Sequence, residues 1–381
     1  MTPEQLARLT RLRHTLHAAP ELSGAEHATA RRIQSEMEAL GADRVLTGLG
    51  GAGVAAVFDS GCAGPTLAIR CELDALPIPE ENDLNYASQV AGRAHLCGHD
   101  GHMTIVVGVA MELARQRPAN GRVVLMFQPA EETGEGAIAF RSSPGFAEIS
   151  PDVVLSLHNL PGLPLGEVEL PNGAANCASR RARIRLIGRT SHAAAPQDGV
   201  SPAAALADLI AELAQLGGGG AVRDETYALT AITHAVLGEQ TFGVSPGMAE
   251  LWVTLRTVTD ARMTSLRQSL LERVRVKAEA YGLTQEITYH DVFEACTNAP
   301  DAVARITAAC HAQGVTLRPS AQPQAFSEDF GQFAKSAPSA MFWLGAGEDH
   351  PQLHNPDYDF PDALIPIGTG IFLQAIRDGL G

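Results

Sequence analysis

The amino-acid sequence predicts an α/β fold: a large mixed α/β domain with an inserted, smaller ferredoxin-like α+β module. The first ~180 residues alternate amphipathic helical patterns with short apolar strands, as in an α/β sheet covered on both faces. Residues 180–291 follow the element order β-α-β-β-α-β, which is typical of a ferredoxin-like fold. The helix–strand alternation resumes after that. We therefore predict a discontinuous large domain, residues 1–179 and 292–381, and an inserted domain, residues 180–291.

The predicted elements of the large domain follow from the period of their apolar residues. Amphipathic spacing predicts helices, and runs that are apolar almost throughout predict buried strands. Helices are predicted at 3–18, 25–40 (ended by Gly41), 102–116, 301–314 and 363–380, and strands at 51–58, 66–76, 121–132, 152–160 and 339–346.

The inserted domain has a different order of predicted helices and strands. Its first helix starts at a Ser-Pro pair and stops at glycines, which are common helix boundaries. Strands are predicted at 181–189, 227–238, 247–258 and 284–293, and helices at 201–216 and 261–282.

Composition and charge narrow the function classes. The formal net charge of −15 argues against nucleic acid or an anionic membrane surface as a partner, because both select a basic face. No apolar run approaches the ~20 residues of a membrane-spanning helix, and the first 21 residues are polar and amphipathic. The six cysteines are widely scattered, which disfavours a disulfide framework. We expect a cytoplasmic protein.

Four short stretches carry most of the metal-binding residue types: "CGHDGH" (97–102), "QPAEE" (128–132), "SLHNLP" (156–161) and "LHNP" (353–356). Each lies at a strand end, in the loop that follows, or before the last helix, where α/β folds place their sites. Together they offer a set of thiolate, imidazole and carboxylate groups: Cys97, His99, Glu132, His158 and His354. Such a mixture suits zinc, manganese, cobalt or nickel rather than calcium or magnesium. Five ligands exceed one tetrahedral ion, so we predict two ions that share a bridging ligand.

The same stretches, together with "RCELDALPIPEEN", "SHAAAP" and "FSEDF", resemble the aminoacylase-type metallopeptidases, which include hippurate hydrolase and the indole-acetyl-amino-acid amidohydrolases. The resemblance runs in order from about residue 11 to residue 375. It implies a catalytic domain that holds two divalent ions and an inserted lid through which two copies usually form a homodimer. The implied substrate is an N-acyl amino acid or a related small amide.

Carried over residue by residue, the resemblance implies Cys97 as the bridging ligand, the other four as terminal ligands, and Glu131 as the general base. Asp74 resembles an aspartate that supports a metal ligand, a frequent requirement of imidazole ligands. In the inserted domain, His192 resembles a histidine that stabilises the oxyanion, and Arg256 an arginine that binds the substrate carboxylate. We also expect Asn159, beside His158, to contact substrate.

Several assignments stay open at this stage. Asp100 is either a helix cap or a ligand, Glu72 either supports the site or is a charged neighbour, and His102 is expected to support it.

The sequence departs from the family pattern at Ser191, Gln197 and Gly243, which puts the usual substrates in question. A dipeptidase or aminopeptidase with the same metals, and a catalytically idle small-amide binder, are the alternatives to an amidohydrolase.

Overall fold

The structure, a computed structural model, describes residues 1–381 and divides into two compact units. The larger unit comprises Met1–Ala175, Cys296–Ala321 and Asp329–Gly381, and the smaller one Asn176–Ala295 and Gln322–Glu328. The short segment 322–328 lies with the smaller unit because its backbone accepts hydrogen bonds from arginines of that unit, for example from Arg223 Nε to the Pro323 carbonyl at 2.6 Å.

The first part of the chain alternates helices and strands. Its elements are α1 (Pro3–His17), α2 (His27–Ala39), β1 (Arg44–Leu49), β2 (Gly53–Asp59), β3 (Thr66–Glu72), α3 (His99–Arg115), β4 (Arg122–Gln128), α4 (Gly136–Ser142), α5 (Phe146–Ile149), β5 (Val153–Pro161), β6 (Val168–Leu170) and β7 (Ala174–Asn176).

The middle and last parts complete the element list. The middle part contains β8 (Ala178–Ile187), β9 (Ser191–His192), α6 (Ala203–Ala214), β10 (Ala228–Leu237), β11 (Val244–Ser245), β12 (Met248–Thr257), α7 (Asp260–Ala280) and β13 (Thr284–Phe293). The last part contains β14 (Cys296–Thr297), α8 (Pro300–Ala312), β15 (Leu317–Pro319), β16 (Ser339–Gly347) and α9 (Leu364–Leu380), with short 3₁₀ helices at Pro196–Asp198 and Asp329–Lys335.

The larger unit is built on an eight-stranded mixed sheet in the order β1-β2-β4-β3-β5-β16-β6-β15. Its centre is parallel, from β4 through β3 and β5 to β16. These strands are buried on both faces, since α1, α2, α3, α8 and α9 contribute to the core on one face and phenylalanines of α4, α5 and Asp329–Lys335 to the other. The predicted fold class is confirmed.

The smaller unit has the ferredoxin-like topology. Its antiparallel sheet has the order β13-β8-β12-β10. Numbered along the chain, these are the fourth, first, third and second strands of the sheet. The helices α6 and α7 pack on one face and form a separate apolar core with it. None of the helices in the protein combines the length and apolar character needed to cross a bilayer.

Two predicted strands end earlier in the structure than in the prediction, and both differences matter for the site. β3 ends at Glu72 rather than at residue 76, and β4 ends at Gln128 rather than at residue 132. After β4 the chain turns sharply, with Ala130 in the left-handed region (φ 54°). The irregular segments that follow, rather than regular strands, therefore carry Asp74 and the pair Glu131 and Glu132.

A buried ionic network anchors α1 to the rest of the larger unit. Arg13 and His17 lie one turn apart on the buried face of α1, and both side chains are fully buried. The His17 ring contacts Asp100 Oδ2 through Nδ1 at 2.9 Å and Glu80 Oε1 through Nε2 at 3.1 Å. Burial opposes a charge on His17, but the hydrogen bonds to these two carboxylates outweigh it and raise the pKa of His17 to about 10.

We expect His17→Gln to lower the free energy of unfolding by about 3 kcal/mol at pH 7, because it leaves the buried Asp100 carboxylate without its closest cation. The raised pKa of His17 fixes the sign of the pH dependence. The contribution of His17 is fully present below its ordinary pKa of 6.5 and is lost as the pH rises through about 10.

Chemical unfolding at several pH values between 7 and 10 measures this effect. The wild type should lose stability over that range more steeply than His17→Gln, whereas the exposed control His27→Gln should follow the wild type. Equal slopes for wild type and His17→Gln would contradict the assignment.

Candidate metal centre

The parallel strands bring the candidate ligands together at one edge of the large sheet. Because the carboxyl ends of parallel strands meet at the same edge, the segments that follow β3, β4 and β16 converge there with the end of β5. These segments carry Asp74, Cys97 and His99 (after β3), Glu131 and Glu132 (after β4), His158 and Asn159 (in β5) and His354 (after β16).

All five predicted ligands fall into overlapping clusters whose ligand atoms lie within 4.8 Å of one another. One cluster, the His158 group, consists of Cys97, His99 and His158. A second, the His354 group, consists of Cys97, Glu132 and His354, and a third joins His99 to Glu131 and Glu132. Cys97 is the member shared by the first two groups, which is the arrangement that a bridging ligand needs.

The turn that presents Cys97 depends on a glycine. Gly98 adopts a left-handed conformation (φ 88°) and is the N-cap of α3. A Cβ at this position would lie 2.0 Å from Asn159 Oδ1 and 2.8 Å from the Tyr358 hydroxyl oxygen. The helix therefore begins directly after Cys97 and places His99 in its first turn.

Asp74 orients His99. The Nδ1 of His99 donates to the Asp74 backbone carbonyl at 2.9 Å and lies 3.4 Å from the Asp74 carboxylate. The Nε2 of His99 is buried and makes no hydrogen bond, so this nitrogen is the one left to contact a metal ion in place of a proton. Asp74 Oδ2 accepts further hydrogen bonds from the Ser23 hydroxyl (2.7 Å) and from the backbone N–H of Glu132 (3.0 Å). The same carboxylate therefore holds the segment of Ser23 and the segment of Glu132 in place.

His158 is held in the same way. Its Nδ1 donates to the carbonyl of Asn159 at 2.7 Å, and its Nε2 lies 3.3 Å from the Cys97 sulfur. Burial holds the pKa of His158 well below its ordinary value, so the ring is neutral and Nε2 carries a lone pair. In both histidines the contact at Nδ1 leaves Nε2 as the nitrogen that could contact a metal ion.

The two adjacent glutamates occupy different surroundings. Glu131 is 4% exposed, and its carboxylate belongs to the cluster with His99 and Glu132 but to neither cluster that contains Cys97. Glu132 also belongs to the His354 group, with Oε1 3.6 Å from His354 Nε2. The difference between the two glutamates is therefore that Glu132 reaches the groups around Cys97 and Glu131 does not.

His354 lies at the exposed side of the site. Its backbone is in the left-handed region (φ 66°), and its backbone N–H donates to the Leu96 carbonyl at 2.8 Å. This hydrogen bond joins the loop before α9 directly to the segment that carries Cys97. The His354 side chain is 47% exposed, whereas His99 and His158 are buried.

Three further polar residues form a buried layer behind the ligands. His102 contacts Glu72 Oε2 through Nδ1 (2.7 Å) and Asn159 Oδ1 through Nε2 (2.8 Å). Glu72 also forms a buried ion pair with Arg70. Asn159 therefore uses its side-chain oxygen within this layer, and only its buried Nδ2 has no hydrogen-bond partner.

Two other polar residues of this segment, His95 and Asp100, belong to none of the clusters. Gly98, not Asp100, is the N-cap of α3, and the Asp100 carboxylate is buried against Arg13 and His17. His95 is buried with no hydrogen bond to either ring nitrogen, and burial lowers its pKa to about 4. His95 is therefore neutral near pH 7.

The electrostatics and the donor set both fit divalent cations. Burial opposes a charge on His99, but its hydrogen bond with Asp74 and the nearby Glu72 and Glu132 carboxylates raise the pKa of His99 to about 10. The negative potential that stabilises a protonated imidazole also attracts a metal ion to the same place. One thiolate, three imidazoles and a carboxylate suit zinc, manganese, cobalt or nickel.

The two predicted substrate-binding residues of the inserted domain lie in the smaller unit. His192 is exposed on β9, which pairs with β11, and its Nδ1 accepts a hydrogen bond from the Ala194 N–H at 3.0 Å. Arg256 lies on β12, and its Nη1 donates to the Ala325 carbonyl (2.8 Å) and the Ser327 hydroxyl (3.1 Å). Arg256 forms no ion pair, and burial lowers its pKa.

Sequence reasoning missed several residues that surround the ligands, above all Ser23, Arg70 and the α1 pair Arg13 and His17. The α1 pair had a detectable signal. Both residues share a helix face with Leu9, Leu12 and Leu16, and charged groups on an apolar face require buried partners. Arg70 had one too, because it is a charged residue in a buried apolar strand and its partner Glu72 is two residues away. Ser23 gave no such signal, because its partner Asp74 is 51 residues away in sequence.

The chain is similar to known proteins over most of its length. The model for peptidase family M20/M25/M40 matches residues 68–378 of the chain. An N-acetylcysteine deacetylase of Bacillus subtilis is 29% identical, over 96% of this chain and 95% of its own length. An IAA-amino acid hydrolase of Arabidopsis thaliana is 28% identical, over 97% of this chain and 84% of its own length.

A solved structure agrees with these sequence relatives. The crystal structure of a dinuclear metal-binding peptidase of the M20 family from Bacillus subtilis superimposes with a TM-score of 0.83. It is 25% identical in sequence, and the match covers 100% of this chain and 99% of that one.

Proposed function

The chain belongs to peptidase family M20/M25/M40, and from this premise we propose that it is a metal-dependent amidohydrolase of N-acyl amino acids or related small amides. The products are a carboxylic acid and an amine. The observation that carries the proposal is the convergence of Cys97, His99, Glu132, His158 and His354, with the buried carboxylate of Glu131 beside them. The family resemblance predicted from the sequence is confirmed.

We assign Cys97 as the shared ligand of two divalent ions and the other four residues as terminal ligands. Zinc or manganese is our first choice, with cobalt or nickel as alternatives. When bound, such ions supply Lewis acidity and lower the pKa of water towards ~7. Asp74 keeps the Nε2 of His99 directed to the ions by holding its Nδ1 proton.

Glu131 is our candidate for the general base. It accepts the proton of the attacking water and then delivers it to the nitrogen of the leaving amine as the amide bond breaks. Its position supports this role, since its carboxylate reaches His99 but is not part of the His354 group. A carboxylate that is not required as a ligand is free to move a proton.

The smaller unit supplies the candidate substrate contacts. Arg256 has guanidinium N–H groups that no protein carboxylate neutralises, so it suits the carboxylate of an N-acyl amino acid. His192 accepts a backbone hydrogen bond at Nδ1, which places the proton of its neutral ring on Nε2, where it is available to an oxyanion. Asn159 contributes at most its Nδ2 group, the one polar side-chain atom that has no hydrogen-bond partner.

We propose residues 180–291 as the lid and residues 1–179 and 292–381 as the catalytic domain.

The departures from the family pattern are close together in the structure. Ser191 pairs with Ser245 and His192 with Val244, and the Ala193 N–H donates to the Gly243 carbonyl at 3.0 Å. Two of the three divergent positions thus belong to one short ladder beside His192, and Gln197 follows in the next turn. We infer that a changed contact near His192 sets a substrate preference distinct from that of the relatives.

The structure bears on both alternative functions. A dipeptidase or aminopeptidase needs an acidic partner for a free substrate amine, and Glu72 is the acidic residue near the site that could serve. Glu72 is instead buried and committed to Arg70 and His102, which counts against that alternative. A catalytically idle binder has no use for a buried carboxylate at the position of Glu131.

We propose that the enzyme is a homodimer joined through the smaller unit, and a cytoplasmic location stays a prediction. β10 is an edge strand, and residues 233–237 at its end are exposed on both faces. Val236 and Leu237 are each 41% exposed, and the neighbouring Phe242 is fully exposed. An exposed apolar edge strand invites pairing with another strand, and a second copy would cover it.

Glu131→Gln should reduce turnover at least about 100-fold, because the amide cannot accept the proton, and should leave metal content near the wild-type value. Cys97→Ser should instead reduce metal content, and the exposed control Glu135→Gln should change neither. Metal analysis and an N-acyl amino acid panel measure both properties. Surviving activity in Glu131→Gln would rule out this general base.

Arg256→Met should raise KM at least about 10-fold for substrates with a free carboxylate, because a charge-assisted hydrogen bond is lost. The matched carboxamides should show little change in KM, since they lack the charge that Arg256 binds. Steady-state kinetics on acid and amide pairs distinguishes the two cases. An equal loss on both members of a pair would contradict the assignment.

Val236→Lys should shift the protein towards a monomer, because it buries a charge in the proposed interface. Sedimentation velocity gives the mass of the species in solution. Val276→Lys is the matched control, because Val276 is similarly exposed (45%) but lies on the helix α7 rather than on the edge strand. A wild-type protein that sediments as a monomer at micromolar concentration would refute the dimer.

A further inference from the structure

We propose that Arg13 is a positioning residue that fixes the separation between the His158 group and the His354 group. The inference rests on the proposed function, because it assumes that the two groups hold metal ions. It goes further by assigning a role at the metal centre to α1, which lies before the first residue matched by the family model.

The Arg13 guanidinium joins two separate segments of the larger unit. Its Nη1 lies 2.7 Å from Asp359 Oδ1 and 3.4 Å from Asp100 Oδ2, and its Nε lies 2.6 Å from Asp362 Oδ1. Asp100 is next to the ligand His99 in the first turn of α3. Asp359 and Asp362 follow the ligand His354 in the loop that leads to α9.

The surroundings of Arg13 hold it in one orientation. Its side chain is fully buried, and the guanidinium carbon lies 4.7 Å from the centre of the Tyr86 ring. The Tyr86 hydroxyl donates to Asp359 Oδ2 at 2.7 Å, so the same carboxylate is bound on both oxygens. His17 binds the Asp100 carboxylate from one turn further along α1.

Stability alone does not explain a buried arginine at this place. Replacing a buried ion pair by well-packed apolar residues is often neutral or stabilising, so its presence points to a requirement for geometry. The two segments also share one direct hydrogen bond, from the His354 N–H to the Leu96 carbonyl. That contact fixes one point before His99 in the sequence, and Arg13 supplies a second point after it, at Asp100, which restricts rotation between the segments.

The test measures Co²⁺ binding as well as turnover. Arg13→Gln and Arg13→Lys are compared with the wild type by chelator competition, by the visible absorption of bound Co²⁺ and by kcat. We expect Co²⁺ affinity to fall about 10–100-fold in Arg13→Gln, as for other residues that orient ligands, with an altered absorption spectrum. Arg13→Lys should recover little, because an ammonium cannot span three carboxylates.

Arg8→Gln is the matched control. Arg8 lies on the same helix and also pairs with a carboxylate, Glu36 at 2.7 Å, but it is 43% exposed. It should bind Co²⁺ as the wild type does. A purely stabilising role for Arg13 predicts a lower unfolding midpoint with unchanged affinity and spectrum in the folded protein, and that result would overturn the proposal.

Asp359→Asn keeps the proposal testable if Arg13→Gln does not fold. Its side chain is partly exposed, so the substitution removes the Arg13–Asp359 charge pair with less cost to stability. A smaller loss of Co²⁺ affinity with a similar spectral change supports the proposal, and wild-type binding overturns it. If the wild type itself binds no Co²⁺, the proposed function fails and this inference falls with it.

Discussion

The parallel alignment of β4, β3, β5 and β16 is the constraint on which the candidate site depends. The five proposed ligands are spread over more than 250 residues, and no local motif holds more than two of them. They meet only because four neighbouring strands run in one direction and end at the same edge. The loops at that edge carry the chemistry, while the buried strands set their positions. The short motifs of the sequence are therefore parts of a site that the sheet completes.

A second constraint is the concentration of buried charge around the ligands. Glu72, Asp74, Asp100 and Glu131 are all buried, which is unfavourable unless each has a partner. Arg70, His17, His99 and Arg13 partner most of these carboxylates, and Ser23 and backbone N–H groups add hydrogen bonds. The carboxylates of Glu131 and Glu132 lie next to His99, where bound divalent ions would add positive charge.

Much of this organisation was predictable from the sequence. The strand and helix periods gave the fold class and the inserted module, and the spacing of Cys97, His99, Glu132, His158 and His354 indicated residues that the structure brings within a few ångströms of one another. Their assignment as ligands remains a proposal. The prediction placed the end of β3 too late. The mostly apolar sequence continues through residues 73–76, although the strand ends at Glu72.

The partners of buried side chains could not be predicted, since they depend on contacts between distant segments. Asn159 illustrates this limit: its position in "SLHNLP" suggested a substrate contact, but its oxygen binds His102. Asp100 shows the same limit. In the sequence, an aspartate near the start of a predicted helix looks the same whether it caps the helix or pairs with a buried cation. The proposed role of Arg13 could not be predicted either, because its partner Asp359 is 346 residues away in sequence.

The uneven exposure of the three proposed ligand histidines has a consequence for metal exchange. His99, in α3, and His158, in β5, are buried, whereas the His354 side chain is largely exposed. An ion in the His354 group would then leave and return more readily than its neighbour in the His158 group. The identity of that outer ion would follow the metals in the surrounding medium, so preparations from different growth conditions would differ in one ion and share the other.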